Sequence, residues 1–143
     1  MNSKDKSPLK GLNYPESKND PLKSQKGQVR FLLEKCFNYK KNGLKRNGYF
    51  VDLAAAHPYE LSNTFFLEKY LGWRGLLIES NPFFLELLRK NRINTVINAA
   101  VHSKSGLELD FRIDNSELGG FVGEEFDNNQ KYRADQISRA KII

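Results

Sequence analysis

Two carboxylates and a run of three alanines carry the chemistry that this sequence offers most directly. Asp52 stands in Val51-Asp52-Leu53, Ala54, Ala55 and Ala56 follow it, and Glu79 comes 23 residues after Ala56. Small residues just after a strand let a ligand approach the backbone, and a helix starting there aims its amides at anionic groups. An acid about 20 residues beyond such a turn is where dinucleotide folds hold ribose hydroxyls. The chemistry in question is therefore nucleoside binding. The competing reading is an ordinary strand-helix-strand unit with a solvent-facing Glu, because spacing alone is a weak signal.

Positioning these residues requires a strand, a tight loop, a helix and a second strand. Residues 49–53 are a short apolar run, as expected for a strand buried on both faces. Ser62 or Asn63 can cap a helix that runs to about Leu71, with Gly72 in the position that ends helices in a left-handed turn. Residues 75–78 form the second strand, which ends at Glu79. Asn81-Pro82 is a helix start, and Phe84, Leu85, Leu87 and Leu88 give that helix a buried stripe. Residues 95–99 are a third strand, and right-handed crossovers place the three side by side in the order 3-2-1. Asp52, near the end of the first strand, can be satisfied by local backbone amides.

The wording of these segments adds a resemblance. Val51-Asp52-Leu53-Ala54-Ala55-Ala56-His57-Pro58 with Leu61-Ser62-Asn63-Thr64-Phe65-Phe66 resembles the first motif of FkbM-type methyltransferases. Gly72-Trp73-Arg74-Gly75-Leu76-Leu77-Ile78-Glu79 with Asn81-Pro82 is similar to the second, Ser24-Gln25-Lys26-Gly27-Gln28 to the lead-in, and Asn98-Ala99-Ala100-Val101 to the third strand. The match covers residues 24–128, with several motifs in order. The resemblance implies S-adenosylmethionine as cofactor on an α/β, Rossmann-like three-layer fold, of which this chain would hold the first half of a mostly parallel sheet. It implies methylation of an oxygen on a sugar or small metabolite. The implied cofactor contacts are Asp52, Ala54, Ala55, Ala56, Asn63, Glu79, Ser80, Asn98 and Ala99, and no catalytic base is identified.

Three features depart from the family pattern. Ala54 stands where the family has Gly, and Val29 where it has Asp. The chain also stops before the family's fourth motif. The domain is thus expected to be an N-terminal part, residues 24–143, behind a disordered polar tail at residues 1–23. The strand at residues 49–54 is expected to be an exposed edge that a partner chain or oligomer would cover. The alternative function is a catalytically silent remnant that binds a nucleoside or a partner.

Composition narrows the field further. A chain of 143 residues with 39% hydrophobic content makes one domain with a modest core. No apolar run reaches the about 18 residues of a membrane span, and the first residues lack the apolar segment of a secretory signal. With a single cysteine, Cys36, this fits a reducing cytoplasm. A net charge of +6 is spread out rather than interleaved with aromatics, so specific nucleic-acid binding is not expected. Neither His57 nor His102 has a ligand partner at metal-binding spacing, so no metal is expected. Val29, Leu32, Leu33, Cys36 and Phe37 fall on one helical face, which makes Cys36 a small buried hydrophobe. Residues 38–47 read as a basic linker, residues 107–113 as a half-exposed strand with Arg112 on its polar side, residues 115–123 as a Gly-rich loop, and residues 141–143 as the start of a strand.

Overall fold

Short apolar runs and the turns between them build a parallel sheet with helices packed on it. The structure, a computed structural model, describes residues 22, 24, 27–113, 119–123 and 125–126. It divides into two units, residues 1–99 and 100–143. In the first, helix α1 (Gln28–Phe31) runs straight into a π-helical stretch, Leu32–Cys36, and a short helix α2 (Tyr39–Asn42) follows. Then come β1 (Tyr49–Leu53), α3 (Phe65–Leu71), β2 (Arg74–Glu79), α4 (Pro82–Asn91) and β3 (Thr95–Asn98).

All three strands are parallel, in the order β1-β2-β3. That is the expected 3-2-1 arrangement, and it makes the chain mixed α/β. Leu53 pairs with Ile78 and Ile78 with Ile97, so the three strands end level with one another. One sheet face carries Phe50 and Leu77, which join Phe66, Leu67 and Leu71 of α3 and Leu88 of α4 in the core. Burying each such side chain is worth about 1.5–3 kcal/mol. Gly75 is required here, because a Cβ at that position would lie 2.3 Å from the Phe50 carbonyl oxygen. The other face presents Tyr49, Val51, Leu53 and Ile97, all exposed. Among the described residues β1 pairs only with β2, so its outer edge carries no strand.

Helix boundaries follow the capping residues. Gly72 ends α3 with φ 69°, and the Asn81 side chain accepts from the Phe83 amide at the start of α4, with Pro82 at the first helical position. Trp73 is buried, packs against Phe37 at 5.8 Å and donates its indole N–H to the Lys45 carbonyl. Its role is packing at the end of α3.

Several expectations change. The first helix keeps Val29 and Leu33 buried, but Cys36 is exposed. The cause is the π-helical stretch, in which the Phe37 amide bonds the Leu32 carbonyl five residues back. That wider turn rotates Cys36 off the apolar face that a period of about 3.6 residues assigns to it. The linker at residues 38–47 contains helix α2. Leu22, read as part of the tail at residues 1–23, is buried in the core; the rest of that tail lies outside the described residues.

The second unit holds β4 (Phe111–Arg112) and β5 (Gly120–Phe121), paired antiparallel in a sheet of their own. His102, Phe111, Phe121 and Phe126 cluster there edge to face. The strand expected over residues 107–113 is only its last part, Leu107 is exposed and Arg112 is buried, opposite to the alternation. A two-residue ladder is too short to impose a two-residue period on the chain before it. β5 also falls inside the segment read as loop. The strand expected at residues 141–143 lies outside the described residues.

Candidate functional site

The level strand ends bring three short segments together. The Ala55 amide donates to the Ile78 carbonyl at 3.1 Å, and the Ala99 amide donates to the Glu79 carbonyl at 3.2 Å. The turn after β1, the tip of β2 and the tip of β3 are therefore laced edge to edge, at the carboxyl ends where open α/β sheets take ligands. Asp52, Ala54, Ala55, Ala56, Glu79, Ser80, Asn98 and Ala99 all lie along this rim.

Glu79 is buried and its side chain is committed to the backbone. Oε1 accepts from the amides of Ser80 at 2.9 Å and Asn81 at 2.7 Å, and Oε2 accepts from the Ala56 amide at 2.8 Å. A carboxylate oxygen has two acceptor positions, so Oε1 is filled and Oε2 keeps one. The solvent-facing reading of Glu79 is set aside by this burial. The acid ties the turn after β1 to the tip of β2, and in this arrangement it can accept from one ribose hydroxyl at Oε2 rather than two.

The turn after β1 holds its shape against backbone preference. Ala54 has φ 55° and Ala56 has φ 50°, both left-handed, and Leu61 further along has φ 58°. Such a residue other than glycine costs roughly 1–2 kcal/mol. The absence of side chains beyond Cβ keeps the rim open, while the left-handed turn at Ala56 points its amide at Glu79. Leu61 is bridged in parallel to Ser24, which also accepts from the Val29 amide, so the lead-in segment touches this loop.

Beneath the rim lies a buried polar network that the sequence did not announce. Asp52 Oδ2 accepts from the Thr64 hydroxyl at 2.5 Å, and Thr64 Oγ1 accepts from Arg92 Nη2 at 3.1 Å. Arg92 Nη1 donates to the Pro58 carbonyl at 3.2 Å and to Ser62 Oγ at 3.4 Å. Its Nε lies 3.1 Å from Glu68 Oε2, close enough for charge pairing but misaligned for a hydrogen bond. The Arg92 and Glu68 side chains are 0% and 5% exposed. Asn94 completes the chain, donating to Glu68 Oε2 at 2.6 Å and accepting from the Gly75 amide at 2.9 Å.

This network sets two acidities. Burial pushes the Asp52 carboxyl above its ordinary 3.8, with the Thr64 hydrogen bond and the Arg92 charge opposing. Burial also pushes Glu68 up, but the close Arg92 guanidinium and hydrogen bonds from Asn94 and the Ile93 amide outweigh it and hold Glu68 below its ordinary 4.5. Asp52 thus satisfies its carboxylate on a side chain, Thr64, rather than on loop amides.

The other candidates separate. The N-cap of α3 is Thr64 rather than the expected Ser62 or Asn63; Asn63 is exposed, and Ser62 Oγ, two residues before the cap, accepts from the amides of Thr64 and Phe65. His57 Nδ1 accepts from the amides of Tyr59 and Glu60, which is loop architecture. Among the described residues no three His, Cys, Asp or Glu side chains are grouped to hold a metal. No helix there is long and apolar enough to cross a membrane. Arg92 escaped sequence reading because its partners Pro58, Ser62 and Thr64 lie 34, 30 and 28 residues away. No family model, curated protein or solved structure matches this chain.

Proposed function

We propose that the chain is an S-adenosylmethionine-dependent methyltransferase domain that acts on an oxygen of a sugar or small metabolite. The observation that carries this reading is the rim itself. A parallel β1-β2-β3 sheet ends level, with small residues at Ala54–Ala56 facing an acid, Glu79, whose Oε2 keeps an acceptor position. Glu79 would take one ribose hydroxyl, the turn at Ala54–Ala56 would let the nucleoside lie against the backbone, and Asn98 with Ala99 would flank the base. Methyl transfer breaks the sulfonium-methyl bond as the acceptor oxygen forms its own, and the oxygen's proton leaves to a base or to water. Alignment and exclusion of water supply most of the acceleration. The test is transfer of labelled methyl from the cofactor to a panel of sugars and hydroxylated metabolites, with heat-denatured chain as control. Label appearing on an acceptor supports the reading; none, with tight cofactor binding, leaves a binding module.

A second reading rests on the sheet. Tyr49, Val51 and Leu53 are exposed on a strand paired on one side only among the described residues, and a parallel sheet is normally covered on both faces. In that reading the chain works only with a partner chain or in an oligomer. A monomer at all accessible concentrations, measured by light scattering, contradicts it.

A further inference from the structure

We infer that Arg92 is a positioning residue for the proposed cofactor site, fixing the loop between β1 and α3 from beneath; the inference rests on the function proposed above. Three observations carry it. First, the loop is strained, with left-handed backbone at Ala54, Ala56 and Leu61, so something must over-determine its course. Second, two consecutive residues at the end of α4 clasp it. Asn91 Oδ1 accepts from the Tyr59 hydroxyl at 2.7 Å, and the guanidinium of Arg92 reaches the Pro58 carbonyl, Ser62 Oγ and Thr64 Oγ1. Third, Arg92 reaches the rim itself through Thr64, whose hydroxyl is the proton donor to Asp52.

The chemistry of the guanidinium suits this task. It is planar and permanently charged, so its two terminal nitrogens meet acceptors on different parts of the loop at once. Glu68, on α3, offsets the charge, and Asn94 holds Glu68 in place. The ring of Phe65 lies 5.8 Å from the guanidinium carbon and covers it on another side. Thr64 accepts from Arg92 and donates to Asp52, which fixes the direction of its hydroxyl proton and hence which Asp52 oxygen it occupies. Arg92 itself is not a catalytic residue, since it touches no part of the rim where ligand would sit. It acts through the Ser62-Thr64 turn and Asp52.

The test compares wild type, Arg92→Lys, Thr64→Val and Thr64→Ser as full chains, by amide hydrogen exchange and by S-adenosylmethionine affinity. Lysine keeps the charge near Glu68 but loses the fork, valine keeps the shape of Thr64 but loses the hydroxyl, and serine keeps the hydroxyl. In Arg92→Lys and Thr64→Val the amides of Ala56, Thr64 and Phe65 should exchange faster, and affinity should fall about tenfold or more. The amides of β2 should exchange as in wild type, and Thr64→Ser should behave as wild type throughout. Unchanged loop exchange in both altered variants overturns the inference, as does acceleration spread evenly over the sheet, which marks a purely global role. Faster loop exchange with unaltered affinity also overturns it. If wild type binds no cofactor, the proposed function fails, while the exchange pattern still decides whether Arg92 orders the loop. If Arg92→Lys does not fold, the Thr64 pair decides alone.

Discussion

Replacing Ala54 with glycine should stabilise a protein in which most alanine-to-glycine changes would do harm. Ala54 is exposed and has φ 55°, so its methyl group buries nothing and opposes the backbone conformation. Relief of that strain is worth roughly 1–2 kcal/mol. The greater freedom of glycine in the unfolded chain costs roughly 0.5–1 kcal/mol. The net expectation is a gain of about 0.5–1 kcal/mol, or about 2–6 °C in melting temperature for a domain of this size. Ala55 is the internal control. It is buried in the core and is not among the left-handed residues, so Ala55→Gly should lose about 1–2 kcal/mol from the buried methyl and the added entropy. Urea unfolding of wild type and both variants, with equal m-values, makes the comparison. If Ala54→Gly unfolds at or below wild type, the left-handed turn does not exist in solution and the geometry assigned to the rim is wrong. With the turn relaxed, Ala54→Gly should also bind S-adenosylmethionine more tightly.

Further expectations follow from the same contacts. Glu79→Gln turns an acceptor of three backbone amides into a group with one acceptor oxygen, and should cost about 1–3 kcal/mol in urea unfolding even without ligand; unaltered stability would show that the lacing is not formed. Below pH 4.5 the unfolded chain takes up a proton at Glu68 that the native state resists, so stability falls as pH falls through that window, and Glu68→Gln should flatten the fall. Glu68→Gln should also cost about 3–5 kcal/mol at neutral pH, because it removes the carboxylate that offsets the buried Arg92 charge. Asp52 acts in the opposite sense: above pH 3.8 the native state holds a proton that the unfolded state releases, so its contribution is lost as pH rises, and Asp52→Asn should remove that loss. Binding to nucleic acid should be weak, indifferent to sequence and steeply salt-dependent, and a complex that survives physiological salt in a gel-shift titration would refute this.

The central sheet was legible because each of its signals is local. Alternating short apolar runs, Gly72 after α3 and Asn81-Pro82 before α4 act within a few residues, and the right-handed crossover rule turns the order of elements into the order of strands. What sequence could not carry is the set of contacts made across the fold. Glu68 sits in the middle of α3 where periodicity allows either surface or core, and Arg92, the Ile93 amide and Asn94, arriving from the turn before β3, make its burial tolerable. Glu79 was placed at its strand tip correctly, but its three backbone donors fix what it can offer a ligand, and one of them is the amide of the left-handed Ala56, 23 residues away. Cys36 was misplaced by a change of helical pitch that no residue type in Leu32–Cys36 announces. The second unit was least legible, since aromatic clustering around His102 rather than strand periodicity organises it.

Whether the proposed rim at Ala54–Ala56, Glu79 and Asn98 holds S-adenosylmethionine is decided by calorimetric titration of the cofactor into the full chain, with thermal unfolding in parallel. A ligand that binds only the native state stabilises it by about 2.7 kcal/mol at one hundred times its dissociation constant. Binding at the rim should give one saturable site, a melting temperature that climbs with cofactor concentration, and a loss of both in Glu79→Gln under conditions where the variant is folded. No heat of binding and an unmoved melting temperature at millimolar cofactor would contradict it.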